Sequence, residues 1–365
     1  LREAWALQTV IAADKSRAGL ITRESEPVNL ESPFDQLDDY LTPNNLFYIR
    51  NHFEAPRLDD ASHELKVEGA VEHPFAIGMA ELRKMPAVTR TVTLECAGNG
   101  RVFLSPPAEG VQWQLGAVST AEWTGVPLTT LLERAGLLQD VSEIVLDGAD
   151  KGTPKHLPKP TGEIRYARSI GLEKAKDVLV AYAMNGEELT IDHGFPVRAI
   201  VPGHYGMASV KWLAAIHAMR EPFRGYWQTS DYAYWDDVDG NPVLQPLGVA
   251  ALKSAIARPR TRESIAAGQS YRVFGAAWCG ELVVDRVEIS TDDGATWQAA
   301  TLLDPECPNC WRRWEFQWHV PEKKGTYILK SRAWDTGGNM QPEEHDRRFG
   351  SYVIHHTVGI EVNVA

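Results

Sequence analysis

The sequence predicts an α+β first domain, with a mixed α/β pattern, followed by an all-β sandwich of immunoglobulin type. Three observations predict it. At 365 residues the chain exceeds one ordinary domain. From about residue 60 to 225, short apolar runs alternate with helical stretches, the pattern of a mixed domain whose loops can carry a site. After about residue 250, short alternating strands and turn residues recur, as a sandwich requires. The expected division is an N-terminal extension over 1–45, a first domain over 46–248 and the sandwich over 249–365.

In the first domain, Ser62–Gly69 and Arg90–Cys96 read as strands. Pro127–Ala135 reads as a helix, opened by Pro127 and stopped at Gly136. Ile144–Leu146 and Val178–Ala183 read as further short strands, and Tyr226–Gln245, rich in Asp, Tyr, Trp and Pro, as ordered loop. In the second domain, Tyr271–Trp278 is apolar and aromatic, and Val283–Ser290 alternates. Asp293-Gly294 supplies a hairpin turn from which Thr296–Leu302 returns. Trp314–Val320 and Tyr327–Trp334 repeat the strand pattern. No nucleophile–base pattern falls in this part, which reads as a packing or association module.

Composition narrows the class of function. Hydrophobic residues make up 44% and charged residues 24%, which excludes a disordered chain. No apolar run approaches the roughly 18 residues of a membrane-spanning helix. With 37 Lys+Arg against 49 Asp+Glu the net charge is −12, which argues against nucleic acid and anionic membrane as partners. An anionic substrate needs a local cationic site, while a basic protein partner is attracted. The sequence opens on Leu1 rather than Met, which fits a removed leader or a chain otherwise shortened. Four cysteines are too few for a disulfide scaffold. Cys307-Pro-Asn-Cys310 is followed by Trp311 rather than His, so the c-type haem attachment pattern fails, and no second ligand pair supports zinc. A local disulfide or two buried thiols remain for this pair.

The segment that carries chemistry is Thr93-Leu-Glu-Cys96-Ala-Gly-Asn-Gly-Arg101. A strand ends at a cysteine, a Gly-rich turn follows, and Arg101 makes the surroundings electropositive, which favours thiolate. Cys96 can then be a nucleophile, a redox thiol or a soft metal ligand, or a small buried hydrophobe. His193 and His204 lie in no recognisable cysteine-protease motif.

Leu94-Glu-Cys-Ala-Gly-Asn-Gly-Arg101 resembles the cysteine loop of the sulfite oxidase family of molybdenum enzymes. Phe47-Tyr-Ile-Arg-Asn-His52 resembles the family's Arg-Asn-His segment, and Ser119-Thr-Ala-Glu-Trp-Thr-Gly125 also fits. Asp192-His-Gly-Phe-Pro-Val-Arg198, with Val201-Pro-Gly and Val210-Lys-Trp212, is similar to its pterin-binding run, and Trp227-Gln-Thr-Ser-Asp-Tyr232 to its tyrosine segment. The matches run in order from about residue 44 to 245, and the C-terminal third is similar to the family's dimerisation domain.

The resemblance implies molybdenum with molybdopterin as cofactor and Cys96 as its protein ligand, soft sulfur suiting a high-valent redox metal. It places Phe47, Asn51, His52, Asp150, His193, Arg198, Ser209, Val210 and Lys211 along the pterin, and Arg50, Arg101, Trp113 and Tyr232 around the substrate. Guanidinium and ammonium groups suit the pterin phosphate, and two arginines suit a small oxyanion. Two positions depart from the family: Glu109 stands where a lysine is common, and Phe349 where a further anion-binding arginine is expected, with Arg348 and His356 nearby. The N-terminal 45 residues are too few for a haem module of roughly 100 residues, so no haem is expected in this chain.

The expectation is therefore oxidation of sulfite to sulfate, with electrons leaving for an external acceptor such as a c-type cytochrome, in a periplasmic bacterial homodimer. The rivals are an S-oxide or N-oxide reductase or a sulfane dehydrogenase on the same cofactor, a metal-free cysteine hydrolase, and a non-enzymatic adhesion protein.

Overall fold

The computed structural model describes residues 17–155 and 159–365. Two five-stranded sheets carry the N-terminal part. One runs Glu187–Glu188, Leu179–Met184, Val118–Pro127, Val88–Glu95, with Arg198–Ile200 also paired to Leu179–Met184. The other runs Phe75–Gly78, Glu64–Gly69, Leu213–Met219, Glu143–Gly152, Ile164–Gly171. All neighbours are antiparallel except Glu64–Gly69 with Leu213–Met219, a parallel pair that returns the chain after about 140 residues. Leu65, Val67, Ile144, Leu146 and Ile216 build the core against Leu128, Leu131 and Leu132.

Leu128–Ala135 is the helix expected from the sequence, with Pro127 at its N-cap and Gly136 after it at φ 67°. Leu128, Leu131, Leu132 and Ala135 are its buried face, at helical spacing. It is the longest α-helix among the described residues, so the domain holds much more strand than the mixed pattern predicted. The apolar runs pair with one another directly, and the stretches between them become loops.

Tyr226–Gln245 also differs from the expected loop. Tyr226–Thr229 is one helical turn, and Ala233–Val238 pairs with Asn241–Pro246 as a hairpin. Asp239 and Gly240 take φ 54° and 79° at its tip, and Asp237 Oδ1 accepts from Gly240 N–H at 2.7 Å. This is an Asp-Gly turn of the hairpin kind, hidden in the sequence by flanks without clean apolar–polar alternation.

The C-terminal part is two sheets around one core. Lys253–Arg258, Ser270–Trp278, Arg312–His319 and Thr301–Leu302 form one; Ser264–Ile265, Ile360–Val364, Gly325–Asp335, Val284–Ser290 and Gln298–Ala299 form the other. Val273, Trp278 and Trp314 from the first share a core with Val287, Leu329 and Ala333 from the second. The single returning strand expected over Thr296–Leu302 is split: Gln298–Ala299 pairs with Val284–Ser290, while Thr301–Leu302 has crossed to Arg312–His319. Cys307 and Cys310 are joined as a disulfide.

Candidate active site

The site begins where Val88–Glu95 ends. Cys96 N–H donates to Ala117 O at 2.9 Å, and Asn99 N–H returns to Cys96 O at 2.8 Å, closing a turn. Two glycines permit it. Gly100 sits at φ 96°, and a Cβ on Gly98 would run into the Arg101 guanidinium. Cys96, 7% exposed, borders two adjoining cavities.

The first cavity is partly open to solvent. Phe47, Arg50, Asn51 and His52 line one side, from the loop that follows the N-terminal hairpin. Asp150, His193, Arg198, Ser209 and Lys211 are also among its lining residues. Arg198 donates to the backbone oxygens of His193 and Ser209, both at 3.0 Å, and burial lowers its pKa to about 10. Lys211 Nζ donates to Asp192 O at 2.8 Å and to Asn51 Oδ1. Burial and the neighbouring Arg198 hold Lys211 down at about 7. Among the described residues no carboxylate is within ion-pair distance of Arg50, Arg101, Arg198 or Lys211. Such a concentration of sheltered cations is costly unless an anion completes it.

The other polar groups point the same way. Burial drives His193 down to about 3, so it is neutral. Its Nε2 faces Asn44 O at 3.2 Å; a carbonyl only accepts, so Nε2 carries the hydrogen and Nδ1 is an acceptor. Burial lifts Asp150 to about 7, and its Oδ1 is buried without a partner. Donors, acceptors and excess positive charge thus line a cleft that ends at a thiol. That donor set fits a phosphate-bearing, nitrogen-rich ligand with a soft metal at one end.

A second cavity also borders Cys96. Arg50, Arg101, His52 and Tyr232 line it. Arg101, 4% exposed, donates from Nη1 to Val111 O at 2.7 Å and from Nε to Ser351 O at 3.1 Å. Tyr232 Oη and His52 Nε2 are 2.6 Å apart. Burial raises the Tyr232 pKa, so the phenol keeps its proton.

Of the residues assigned from the sequence, Arg50, His52, Cys96 and Tyr232 line both cavities. Two are not among the lining residues. Val210 is 1% exposed and turns into the core. Trp113 is fully buried in the cluster that contains Cys96, Phe47 and Trp123, with its Nε1 lacking a partner. Glu109 is exposed beside Gly110, which lines the second cavity. Phe349 packs on Tyr234 at 4.7 Å between ring centroids, and Arg348 pairs with Asp346 and Asp236. The cavity residue from that stretch is Tyr352 instead. Its ring lies 4.8 Å from Tyr232 and 5.3 Å from the Arg101 guanidinium, and its hydroxyl donates to Asp231 Oδ1 at 2.5 Å.

Sequence reasoning missed Tyr352 because no pattern marks it. The backbone does: Val353 sits at φ 52°, unfavourable for a β-branched residue, and its N–H donates to Ala97 O at 2.8 Å. The N-terminal segment also reaches the site. Asn29 Oδ1 accepts from Asn51 N–H at 2.8 Å and from Arg50 Nη1 at 3.4 Å, and Arg17 forms a two-point ion pair with Asp192.

The class that this geometry defines is a molybdopterin-binding oxidoreductase, and comparison with known proteins gives the same class. Residues 52–227 match the oxidoreductase molybdopterin binding domain, and residues 247–362 the Mo-co oxidoreductase dimerisation domain. The chain is 38% identical over 360 residues to sulfite oxidase of Gallus gallus, covering 92% of this chain and 76% of that protein. It is 37% identical over 347 residues to mitochondrial sulfite oxidase of Homo sapiens, covering 89% of this chain and 62% of that protein. The fold matches the sulfane dehydrogenase SoxCD from Paracoccus pantotrophus with a TM-score of 0.80 and 27% identity, over 94% of this chain and 88% of that one. The chain belongs to the sulfite oxidase family.

Proposed function

We propose that the chain oxidises sulfite to sulfate at a molybdenum-pterin centre. The observation that carries this reading is the convergence of Arg50, Arg101 and Tyr232 on the cavity beside Cys96. When bound, the group supplies the redox centre that transfers oxygen to sulfur and takes up two electrons. Arg198, Lys211, His193, Ser209 and Asp150 would hold the pterin, and Cys96 the metal.

The chain's own residues do the rest. Arg101 is fixed by two neutral backbone carbonyls, so its charge is available to an oxyanion. Arg50 Nη1 is tied to Asn51 O and Asn29 Oδ1, which leaves its charge equally uncancelled. Tyr232 and His52 share a hydrogen bond of 2.6 Å, which orients the protonated phenol toward the cavity.

The balance is sulfite plus water to sulfate, two protons and two electrons. On this reading the chain carries no haem, and the electrons leave singly for a c-type cytochrome. The C-terminal part is proposed to be an immunoglobulin-type sandwich that pairs two chains, in a periplasmic bacterial protein. A sulfane dehydrogenase is the second reading, favoured by the match to SoxCD. Turnover of the loaded protein with sulfite, a sulfane-sulfur compound, an S-oxide and an N-oxide tests the assignment. Sulfite should show the highest kcat/KM; a higher value for another substrate would displace it.

A further inference from the structure

The hairpin Ala233–Val238/Asn241–Pro246 rises directly from the substrate cavity, since Asp231 and Tyr232 line that cavity and Ala233 begins the first strand. Its two faces differ. Tyr234 and Asp236 face protein, where Tyr234 packs on Phe349 and Asp236 pairs with Arg348 at 2.6 Å. Trp235 and Asp237 take the other face, opposite Leu244 and Pro242. Trp235 is 61% exposed, and Asp237, Val238, Asp239 and Pro242 are exposed with it. The run between Arg224 and Lys253 holds four aspartates and neither lysine nor arginine.

A large aromatic held open to solvent on a hairpin, rimmed by carboxylates, has the form of an interface anchor. The charge decides the partner. Two copies meeting through this face about a twofold axis would bring like charges together. A basic partner would be drawn to it, and the chain's net charge of −12 adds long-range attraction. The position adds the chemistry. Trp235 is three strand residues from Tyr232, roughly 10 Å along the chain. A redox protein seated on Trp235 therefore sits three residues along the chain from a residue that lines the cavity. Electron-transfer partners form small interfaces, typically below about 1,200 Å², which one hairpin and its surroundings can supply.

We propose that this hairpin is the docking surface for the electron acceptor, a small basic haem protein that takes one electron per encounter. Trp235 is the apolar anchor, and Asp237 and Asp239 are the charged rim. Two oxidised acceptors, each reduced by one electron, balance one sulfite oxidised with water to sulfate and two protons. The inference rests on the reading that electrons leave for a protein acceptor.

The test uses the loaded full-length protein, a basic c-type cytochrome and ferricyanide, with the variants Trp235→Ala and Asp237→Lys/Asp239→Lys. Binding of oxidised cytochrome is measured calorimetrically at low salt without sulfite, and turnover is followed with each acceptor. Both variants should bind cytochrome at least tenfold more weakly, and the charge variant should lose most of its salt dependence. Turnover at saturating ferricyanide should stay within twofold. Unchanged cytochrome binding overturns the proposal, as does an equal loss with both acceptors. A change of subunit number by light scattering, with cytochrome binding unchanged, assigns the face to a second copy and also overturns it. If the wild type turns over no sulfite even with ferricyanide while the binding differences hold, the substrate assignment has failed and the docking surface stands.

Discussion

Lys253 and Glu95 form a buried ion pair between the two parts of the chain, Nζ to Oε1 at 2.9 Å, with the two side chains 2% and 3% exposed. Lys253 opens the first strand of the C-terminal part; Glu95 immediately precedes Cys96. The pair is fully engaged. Lys253 also donates to Asn99 O at 2.8 Å, Trp278 Nε1 donates to Glu95 Oε2 at 2.8 Å, and Asn99 Nδ2 donates to Glu95 Oε1 at 3.0 Å. The C-terminal part thereby holds the turn that carries the thiol. Lys253→Met should strand the Glu95 charge and lower stability by about 3–5 kcal/mol. Glu95→Gln added to Lys253→Met should recover part of that loss. Denaturant unfolding of the three proteins checks it, and an unaltered Lys253→Met midpoint would show that the pair is not holding the parts together.

Arg50 and Arg101 should govern substrate affinity. Each charge-assisted contact to an oxyanion is worth roughly 1.5–3 kcal/mol, and about 1.4 kcal/mol is tenfold. Arg50→Gln or Arg101→Gln should therefore raise the sulfite KM by at least about tenfold. Steady-state kinetics decide it; KM unmoved in both variants would place the anion elsewhere.

Tyr352 gives the C-terminal part a share in the second cavity, the proposed substrate site. Its ring lies against Arg101 and Tyr232, a cation–aromatic contact worth about 1 kcal/mol. Tyr352→Ala should raise the sulfite KM roughly fivefold, and Tyr352→Phe, which keeps the ring, should do so less. Equal KM in wild type and Tyr352→Ala would reduce Tyr352 to a wall residue.

His204 should contribute to acid instability. Burial, with Lys174 and Arg168 near, lowers its pKa to about 4, whereas an unfolded histidine titrates near 6.5. As pH falls from about 6.5 to about 4, the unfolded chain takes up the proton first, so stability drops across that window. His204→Gln should flatten the decline between pH 7.5 and pH 4.5 in denaturant midpoints. Parallel declines in wild type and variant would contradict a neutral, half-buried His204.

What the sequence disclosed follows the range of the interactions involved. The helix Leu128–Ala135 was legible because Pro127, its apolar spacing and Gly136 are local signals. The strand leading to Cys96 was legible for the same reason, and the motifs of the resemblance are contiguous. The dominance of strand was not, because short apolar runs do not announce whether the stretches between them will coil into helices. Tyr352 and Lys253 come from parts of the chain far from Cys96, and only the packing of the two parts places them at the site. The resemblance implies a substrate role for Trp113; in the structure Trp113 is buried in one core cluster with Cys96, Phe47 and Trp123 and does not line either cavity.

The most direct measurement is a single anaerobic turnover of molybdenum-loaded protein, with ferricyanide as acceptor, for wild type and Cys96→Ser. The wild type should form one sulfate and reduce two ferricyanides per sulfite consumed, with molybdenum bound one per chain. Cys96→Ser should stay folded and lose the reaction, because a hard hydroxyl replaces the soft sulfur that suits this metal. Wild-type protein that consumes no sulfite, or a Cys96→Ser protein that retains the same two-electron stoichiometry and rate, would contradict the account.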